Sequence, residues 1–486
     1  MTIRKKLFFI ALLVSFAGCS GSAYDNQRQT SRFYESMFHG GQADVAKLNL
    51  FFTRMPKGGD LHHHYTGSIY AETYLDWVEK KGWWINPCTL RIATTREIGD
   101  CTSVTVPQLV ANNTLYRRLL TLWSDMDYGN HFHDQPPPDS NFFSTFGYFG
   151  TVSNEYMQDG LDIIKQRAIN ENVNYIETML TSVPVKGAEY FSPAEADKLN
   201  AQLRDAESPE EVGRLLDQIA VRLGSNDKFL VAVDGYVSRL TTIHQGIDTD
   251  AFTMRFQSYA SRVSDPLQVF ASLYAGFMAS SKSPLIVGVN IVAPENNVVA
   301  LADYTLHMRM FDYLHRRYPN VNRALHAGEL TLGMVRPDDL LFHIRQALEI
   351  AHAQRIGHGV DLPYEQNATK LLAALKKNDT AIEINLTSNQ VILGVAGKGH
   401  PYLIYSGYGV PLVISTDDSG VSRNNLSNEY MLLASRYHPS YAKIKEYVYN
   451  SIKYSFLSQD EKASAKNVLD NKFTEFEKEM AGLGDR

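Results

Sequence analysis

Gly58-Gly59-Asp60-Leu61-His62-His63-His64 is the stretch from which the chain can be read outward. In a strand, alternate side chains share a face, so His62 and His64 can point to one side while His63 points to the other. Two imidazoles on one face can chelate one metal ion, although a His-rich surface loop would carry the same letters. On either side, short apolar or β-branched runs alternate with helical periodicity, as at 304–318 and 340–353. The runs predict strands at 58–62, 173–180, 229–235, 285–292, 323–326, 355–358, 381–385 and 411–416. Eight strand-helix repeats point to an α/β fold of the (β/α)8 barrel type.

Three further clusters fall at the C-terminal ends of predicted strands, where barrel enzymes carry their chemistry. They are His326-Ala327-Gly328-Glu329, Arg355-Ile356-Gly357-His358-Gly359 and Ser415-Thr416-Asp417-Asp418. Taken singly, each could be loop chemistry: His358 a turn residue, Asp417 and Asp418 a helix cap. A barrel brings all of them to one rim.

In order, MPKGGDLHHH, LHAGE, RIGHG, INLTSN and STDDS resemble the adenosine deaminase family of metal-dependent amidohydrolases. Met55-Pro56-Lys57-Gly58-Gly59 before the histidines, together with an export signal, is most similar to the secreted branch known as adenosine deaminase-related growth factors. The resemblance spans roughly 51–422. It implies one zinc ion per chain held by His62, His64, His326 and Asp417, a His3Asp set suited to zinc with a position left for water, whose pKa the ion lowers toward about 7. It further implies that His358 takes or orients the water proton, that Glu329 protonates N1 of the purine, and that Asp418 bonds N7. His64, Ala293 and Gly328 would complete the substrate contacts. The implied reaction is hydrolytic deamination of adenosine or 2′-deoxyadenosine to the inosine form and ammonia.

Departures from the family pattern fall where substrate binds. Tyr65-Thr66-Gly67 follows the histidines where relatives carry Leu-Asp-Gly, which puts ribose recognition in question. Asn290-Ile291-Val292-Ala293-Pro294-Glu295 replaces an Asp and a later Gly-Asp-Glu, and Pro294 alters that loop. A related hydrolase acting on another amino-purine or a modified adenine nucleoside is therefore the alternative. A catalytically silent binding lipoprotein ranks below both, because it would have eroded the ligands or Glu329.

The chain has 486 residues, 44% hydrophobic and 21% charged, with 47 Lys+Arg against 53 Asp+Glu and a net charge of −6. No basic block provides an electrostatic footprint for nucleic acid, so the expected partner is a small purine nucleoside. Arg4, Lys5 and Lys6 precede an apolar run from Leu7 to Phe16 that is too short to span about 30 Å of hydrocarbon. Residues 1–18 read as a signal peptide, and Ala17-Gly18-Cys19 resembles a lipoprotein cleavage box in which Cys19 is lipidated. A lipid anchor would be the only membrane contact. The location would then be the cell envelope, with Ser20 favouring the outer membrane, or the periplasm or exterior if Cys19 is unmodified.

Residues 19–50 read as a polar tether, through Thr30, and an N-terminal helical segment. The barrel is placed at 51–475 and a tail at 476–486. An insertion at about 83–140, after the first strand, either covers the pocket or contacts a second copy, leaving a homodimer open. Cys88 and Cys101 lie within it and, in an exported protein, are expected to form one disulfide. His131 and His133, with Asp134, lack a strand pattern for a second metal site. His352 reads as a helix histidine and His400 as structural. Tyr402, Tyr405 and Tyr408 read as packing, and Asp234 and Arg239 as members of structural ion pairs.

Overall fold

The computed structural model describes residues 23–126 and 136–484. Eight parallel strands form its centre: β1 (Gly58–His64), β2 (Val173–Met179), β3 (Thr253–Ser261), β4 (Ile286–Val292), β5 (Asn322–Ala327), β6 (Arg355–His358), β7 (Ala381–Ile384) and β8 (Leu412–Ile414). Hydrogen-bonded neighbours follow chain order from β1 to β8. Just past β8 the circle closes, with the Asp417 N–H donating to His62 O at 2.8 Å and the His64 N–H to Asp417 O at 3.3 Å. The (β/α)8 barrel predicted from the sequence is the observed fold. Register places the C-terminal ends of the strands together: His326 is level with Gly357, and His63 bridges Asp417.

Seven predicted strands lie within a few residues of the observed ones, and the third is a correction. Residues 229–235 sit inside helix α1 (Asp227–Ile243), where Phe229, Val233, Tyr236 and Leu240 are buried at helical spacing and Asn226 caps the first turn. The strand is Thr253–Ser261, whose polar members are buried on opposite faces, Gln257 inside the barrel, where it donates to Glu177 at 3.1 Å, and Ser258 against Gly276 of the surrounding helix Pro266–Lys282. A short apolar run such as Phe-Leu-Val-Ala-Val fits either state, and the polar interior disguised the true strand. The helix predicted at 340–353 is shorter, ending at Glu349, and His352 lies beyond it with φ 55°.

The barrel floor is polar rather than greasy. Arg355, fully buried, donates through Nε to Glu383 and through Nη2 to Glu177, each at 2.6 Å. Pairing with these two carboxylates offsets the cost of burying the guanidinium.

Both ends of the chain differ from the sequence reading. Residues 23–35 are helical and Thr30 is buried, its hydroxyl donating to Glu477 O, so the tether does not extend to Thr30. The segment read as a tail continues helix α2 (Gln459–Gly484), with Phe476, Met480 and Ala481 buried. The signal peptide, Cys19 and the group His131, His133 and Asp134 lie outside the described residues. Among the described residues, no helix is long and apolar enough to cross a membrane.

In the insertion, Cys88 and Cys101 are disulfide-bonded, with Cα atoms 5.8 Å apart. Helix Pro138–Ser153, which starts at the end of the predicted insertion and runs past it, carries Phe142, Phe143 and Phe146 to the barrel mouth. Asp234 pairs with Lys282, and Arg239 lies against Met157; both belong to α1, outside the site. Tyr402 and Tyr405 are buried packing residues, while Tyr408 is partly exposed.

Candidate active site and metal centre

β1 delivers His62 and His64 to the barrel mouth and turns His63 outward, where its Nδ1 bonds the Thr178 hydroxyl at 2.9 Å. β5 brings His326, and the turn after β8 brings Asp417. The ligand atoms of these four residues all lie within 4.8 Å of one another. His64 Nε2 is 3.1 Å from His326 Nε2 and 3.3 Å from an Asp417 oxygen.

The opposite ring nitrogens show why the donors converge. His62 Nδ1 donates to Glu383 at 2.7 Å, leaving a buried Nε2 without a hydrogen-bond partner among the described residues. His326 Nδ1 donates to Asn290 Oδ1 at 2.9 Å, an oxygen that also accepts the Ile291 N–H. Each ring therefore aims a lone pair at the same point. Burial, reinforced by the neighbouring histidines, holds His326 well below the usual histidine range, and burial brings His64 down to about 4. Burial opposes the charge of His62, but Asp417 and Glu383 prevail and push it up to about 10, so an ion arriving there would displace a proton from it. Three imidazoles, two of them oriented from behind, and one carboxylate fit a zinc-type ion.

Glu329 and His358 stand beside this set, with His358 Nε2 3.6 Å from Glu329 Oε1 and 3.8 Å from Asp417 Oδ2. Burial, then the charges of Asp417 and Glu295, raises the Glu329 carboxyl well above its usual range. The shift favours the protonated acid. Asp418 is raised by the same causes, burial and Asp417, and one of its buried oxygens is unpartnered.

Three site residues adopt left-handed backbone: Ala293 (φ 83°), His358 (φ 67°) and Asp417 (φ 61°). Side-chain-bearing residues rarely occupy that region, and they do so where surrounding structure enforces it. At Asp417 the barrel closure holds it, the Asp417 N–H donating to His62 O and its carbonyl accepting the His64 N–H. Glu295 fixes the neighbouring loop, accepting the N–H groups of Gly328 and Glu329 at 3.0 and 2.8 Å while paired with His343 and Arg262. Burial opposes its charge, but Arg262 and His343 prevail and hold its carboxyl at about 2.

These groups open on a cavity of about 420 Å³. His64, Ala293 and Asp418 line it, as does Thr66, whereas Gly328 does not: its N–H is committed to Glu295 and its carbonyl to Val360 and Asp361. Phe142, Phe143 and Phe146 from helix Pro138–Ser153 form an apolar wall, and Tyr259 projects from β3. The sequence reading missed all four. The phenylalanines recur at helical spacing just after a proline start, a legible signal, but Tyr259 was lost with its strand. Among the described residues, no Lys or Arg lines the cavity.

Residues 231–472 match the adenosine deaminase family. An adenine deaminase of Rhizobium leguminosarum bv. trifolii is 27% identical over 252 residues, covering 51% of this chain and 72% of the relative. An adenosine deaminase of Clostridium acetobutylicum is 28% identical over 166 residues, covering 34% of this chain and 46% of the relative, less than half its length. The N6-methyl-AMP deaminase of Arabidopsis thaliana superposes with a TM-score of 0.56 over 87% of this chain and 98% of its own, at 17% identity, a likeness of fold. The barrel, the His3Asp cluster and the match of residues 231–472, just under half of the chain, to the adenosine deaminase family agree on a hydrolase that acts on C–N bonds.

Proposed function

We propose that this protein hydrolytically deaminates an uncharged 6-aminopurine nucleoside, adenosine or 2′-deoxyadenosine, releasing ammonia. The observation that carries the reading is the placement of the buried Glu329 carboxyl beside the His3Asp cluster, at one end of a cavity with no lining cation among the described residues. His62, His64, His326 and Asp417 would hold zinc. When bound, zinc supplies Lewis-acid activation of the attacking water.

The chain's own residues account for the rest. Glu329 protonates N1, which makes C6 electrophilic, and the carboxylate it leaves behind takes a proton from the water as oxygen bonds to C6. The same carboxyl returns that proton to the amino group, the C6–N bond breaks and ammonia leaves, and the carboxylate takes the remaining hydroxyl proton as the C6 oxo group forms, which regenerates the Glu329 acid. Asp418 would bond N7 and fix the ring. The Phe142, Phe143 and Phe146 wall excludes water and packs on the substrate's flat faces.

A second reading, an adenine base or a modified adenine nucleoside, is favoured by Thr66, which lines the cavity where relatives carry an acid near the ribose. Export, as in the secreted branch of the family, and lipidation at Cys19, as in bacterial lipoproteins, belong to the same proposal and rest on the sequence around Arg4–Cys19.

The test is ultraviolet absorbance and ammonia release by the purified zinc-loaded protein, offered adenosine, deoxyadenosine, adenine and AMP. Stoichiometric ammonia from the nucleosides, abolished by a chelator, is expected. AMP should react at least about 10²-fold more slowly, because its dianion would be desolvated without a partner. Turnover of adenine alone would favour the second reading, and inertness toward all four would overturn both.

A further inference from the structure

Behind His358, on the side away from the cavity, buried polar groups form a chain whose hydrogens can be assigned one by one. The Tyr402 backbone N–H donates to His400 Nδ1 at 3.1 Å. A backbone N–H can only donate, so His400 Nδ1 carries a lone pair and the ring's single proton sits on Nε2. That Nε2 lies 3.1 Å from Asn389 Oδ1, which accepts it. The amide is thereby oriented, and its Nδ2 faces His358 Nδ1 at 2.9 Å. The amide nitrogen of Asn385 approaches the same ring nitrogen at 3.4 Å. An amide nitrogen only donates, so His358 Nδ1 holds a lone pair and its proton is on Nε2. Nε2 is the atom that faces Glu329 and Asp417 at the cavity, with no hydrogen-bond partner among the described residues. His358, Asn389 and His400 are all buried, so water does not compete for these bonds.

We propose that His400 is a positioning residue: acting through Asn389, it holds His358 as the neutral tautomer protonated on Nε2, so that His358 acts as a hydrogen-bond donor and not as a base. The consequence for the reaction rests on the deaminase reading above. His358 would donate to the oxygen that develops on C6, while Glu329 alone carries protons between water, N1 and the leaving amine. Every proton in that sequence has a donor and an acceptor without His358 changing charge.

The full-length protein labelled with 15N-histidine, stripped of metal and free of substrate, tests the tautomer by 1H–15N correlation, with the His358 ring signals assigned by their loss in H358Q. The expected spectrum has an unprotonated Nδ1 and a protonated Nε2 at His358. In H400L, which frees Asn389 to turn its oxygen toward His358, the two nitrogens should exchange character or average. H400Q retains an amide donor toward Asn389 and should restore the native pattern. In zinc-loaded protein, H400L should lower kcat about tenfold with KM little changed, and H400Q should recover it. A native His358 protonated on Nδ1, or an H400L spectrum identical to the native one, overturns the proposal. The native spectrum decides even if H400L does not fold. Because it is read without substrate, failure of the deaminase reading appears separately, in the ammonia assay.

Discussion

Gly67 lies directly under the Asp418 carboxyl: a Cβ placed on Gly67 would fall 1.4 Å from Asp418 Oδ1 and 2.3 Å from its Cγ. No rotamer of a side chain at 67 avoids this overlap, so the glycine is what allows Asp418 to face the cavity. Gly67→Ala should displace Asp418 while leaving the His3Asp cluster in place. The expected result is a fall in kcat/KM of at least about tenfold, in keeping with a lost purine contact, at unchanged zinc content. Metal analysis beside steady-state kinetics checks it. Native turnover in this variant would remove Asp418 from the substrate site.

The pairing of His62 with Glu383 leads to a prediction about metal. Glu383 accepts from His62 Nδ1 at 2.7 Å and from Arg355 Nε at 2.6 Å, so it both aims the ring and increases its basicity. Glu383→Gln keeps the volume but loses the charge. Zinc affinity should drop by about 10–100-fold, the usual effect of removing a partner behind a ligand. Competition with a chromophoric chelator measures this directly, and an unaltered Kd would show that Glu383 serves only the barrel floor.

His62, His64, His326 and Asp417 were legible because their spacing obeys a simple geometry: alternate positions on one strand and residues at strand ends, which a barrel must gather. Glu329 and His358 were legible by the same placement. What escaped depends on tertiary contacts with no local signature. β3 was missed because Gln257 bonds Glu177 inside the barrel and Ser258 is buried against the surrounding helices, where an apolar strand was expected. The left-handed backbone of Ala293, His358 and Asp417 leaves no trace in residue type, since it depends on tertiary contacts such as the closing bonds of Asp417 with His62 and His64. His400 was read as structural because its partner, Asn389, becomes adjacent to His358 only once β6 and β7 are paired.

The disulfide offers a test of how the insertion serves the cavity. Cys88 and Cys101 are 13 residues apart, and Arg91 between them donates to Gly147 O in the helix that carries the phenylalanine wall. Its guanidinium also lies 4.9 Å from the Tyr148 ring. In the chain-entropy account, a loop of this size is worth about 3 kcal/mol. The double variant C88S/C101S should melt at lower temperature and, because the wall helix loses a tether, should show a raised KM for nucleoside with kcat less affected. Thermal melts with steady-state kinetics check both. A lowered Tm at unchanged KM would mean that the bridge stabilises the insertion without shaping the pocket.

Glu329→Gln separates metal binding from proton transfer. Glu329 contributes no atom to the cluster of His62, His64, His326 and Asp417, so zinc content should be retained. The amide matches the carboxyl in shape but cannot give up a proton to N1 or accept one from water. Since burial and the charges of Asp417 and Glu295 favour the protonated form of the native carboxyl, the neutral amide disturbs the ground state little. The loss should therefore fall on kcat rather than KM, by about 10²-fold or more, the range for removal of a general acid-base. Stopped assays of ammonia at saturating nucleoside give kcat, and titration with a non-reacting purine nucleoside gives binding. Retained turnover would remove Glu329 from the proton path. A loss confined to KM would instead make it a binding residue, and the proton that His358 is held from accepting would need another carrier, with Asp418 the remaining buried carboxyl at the cavity.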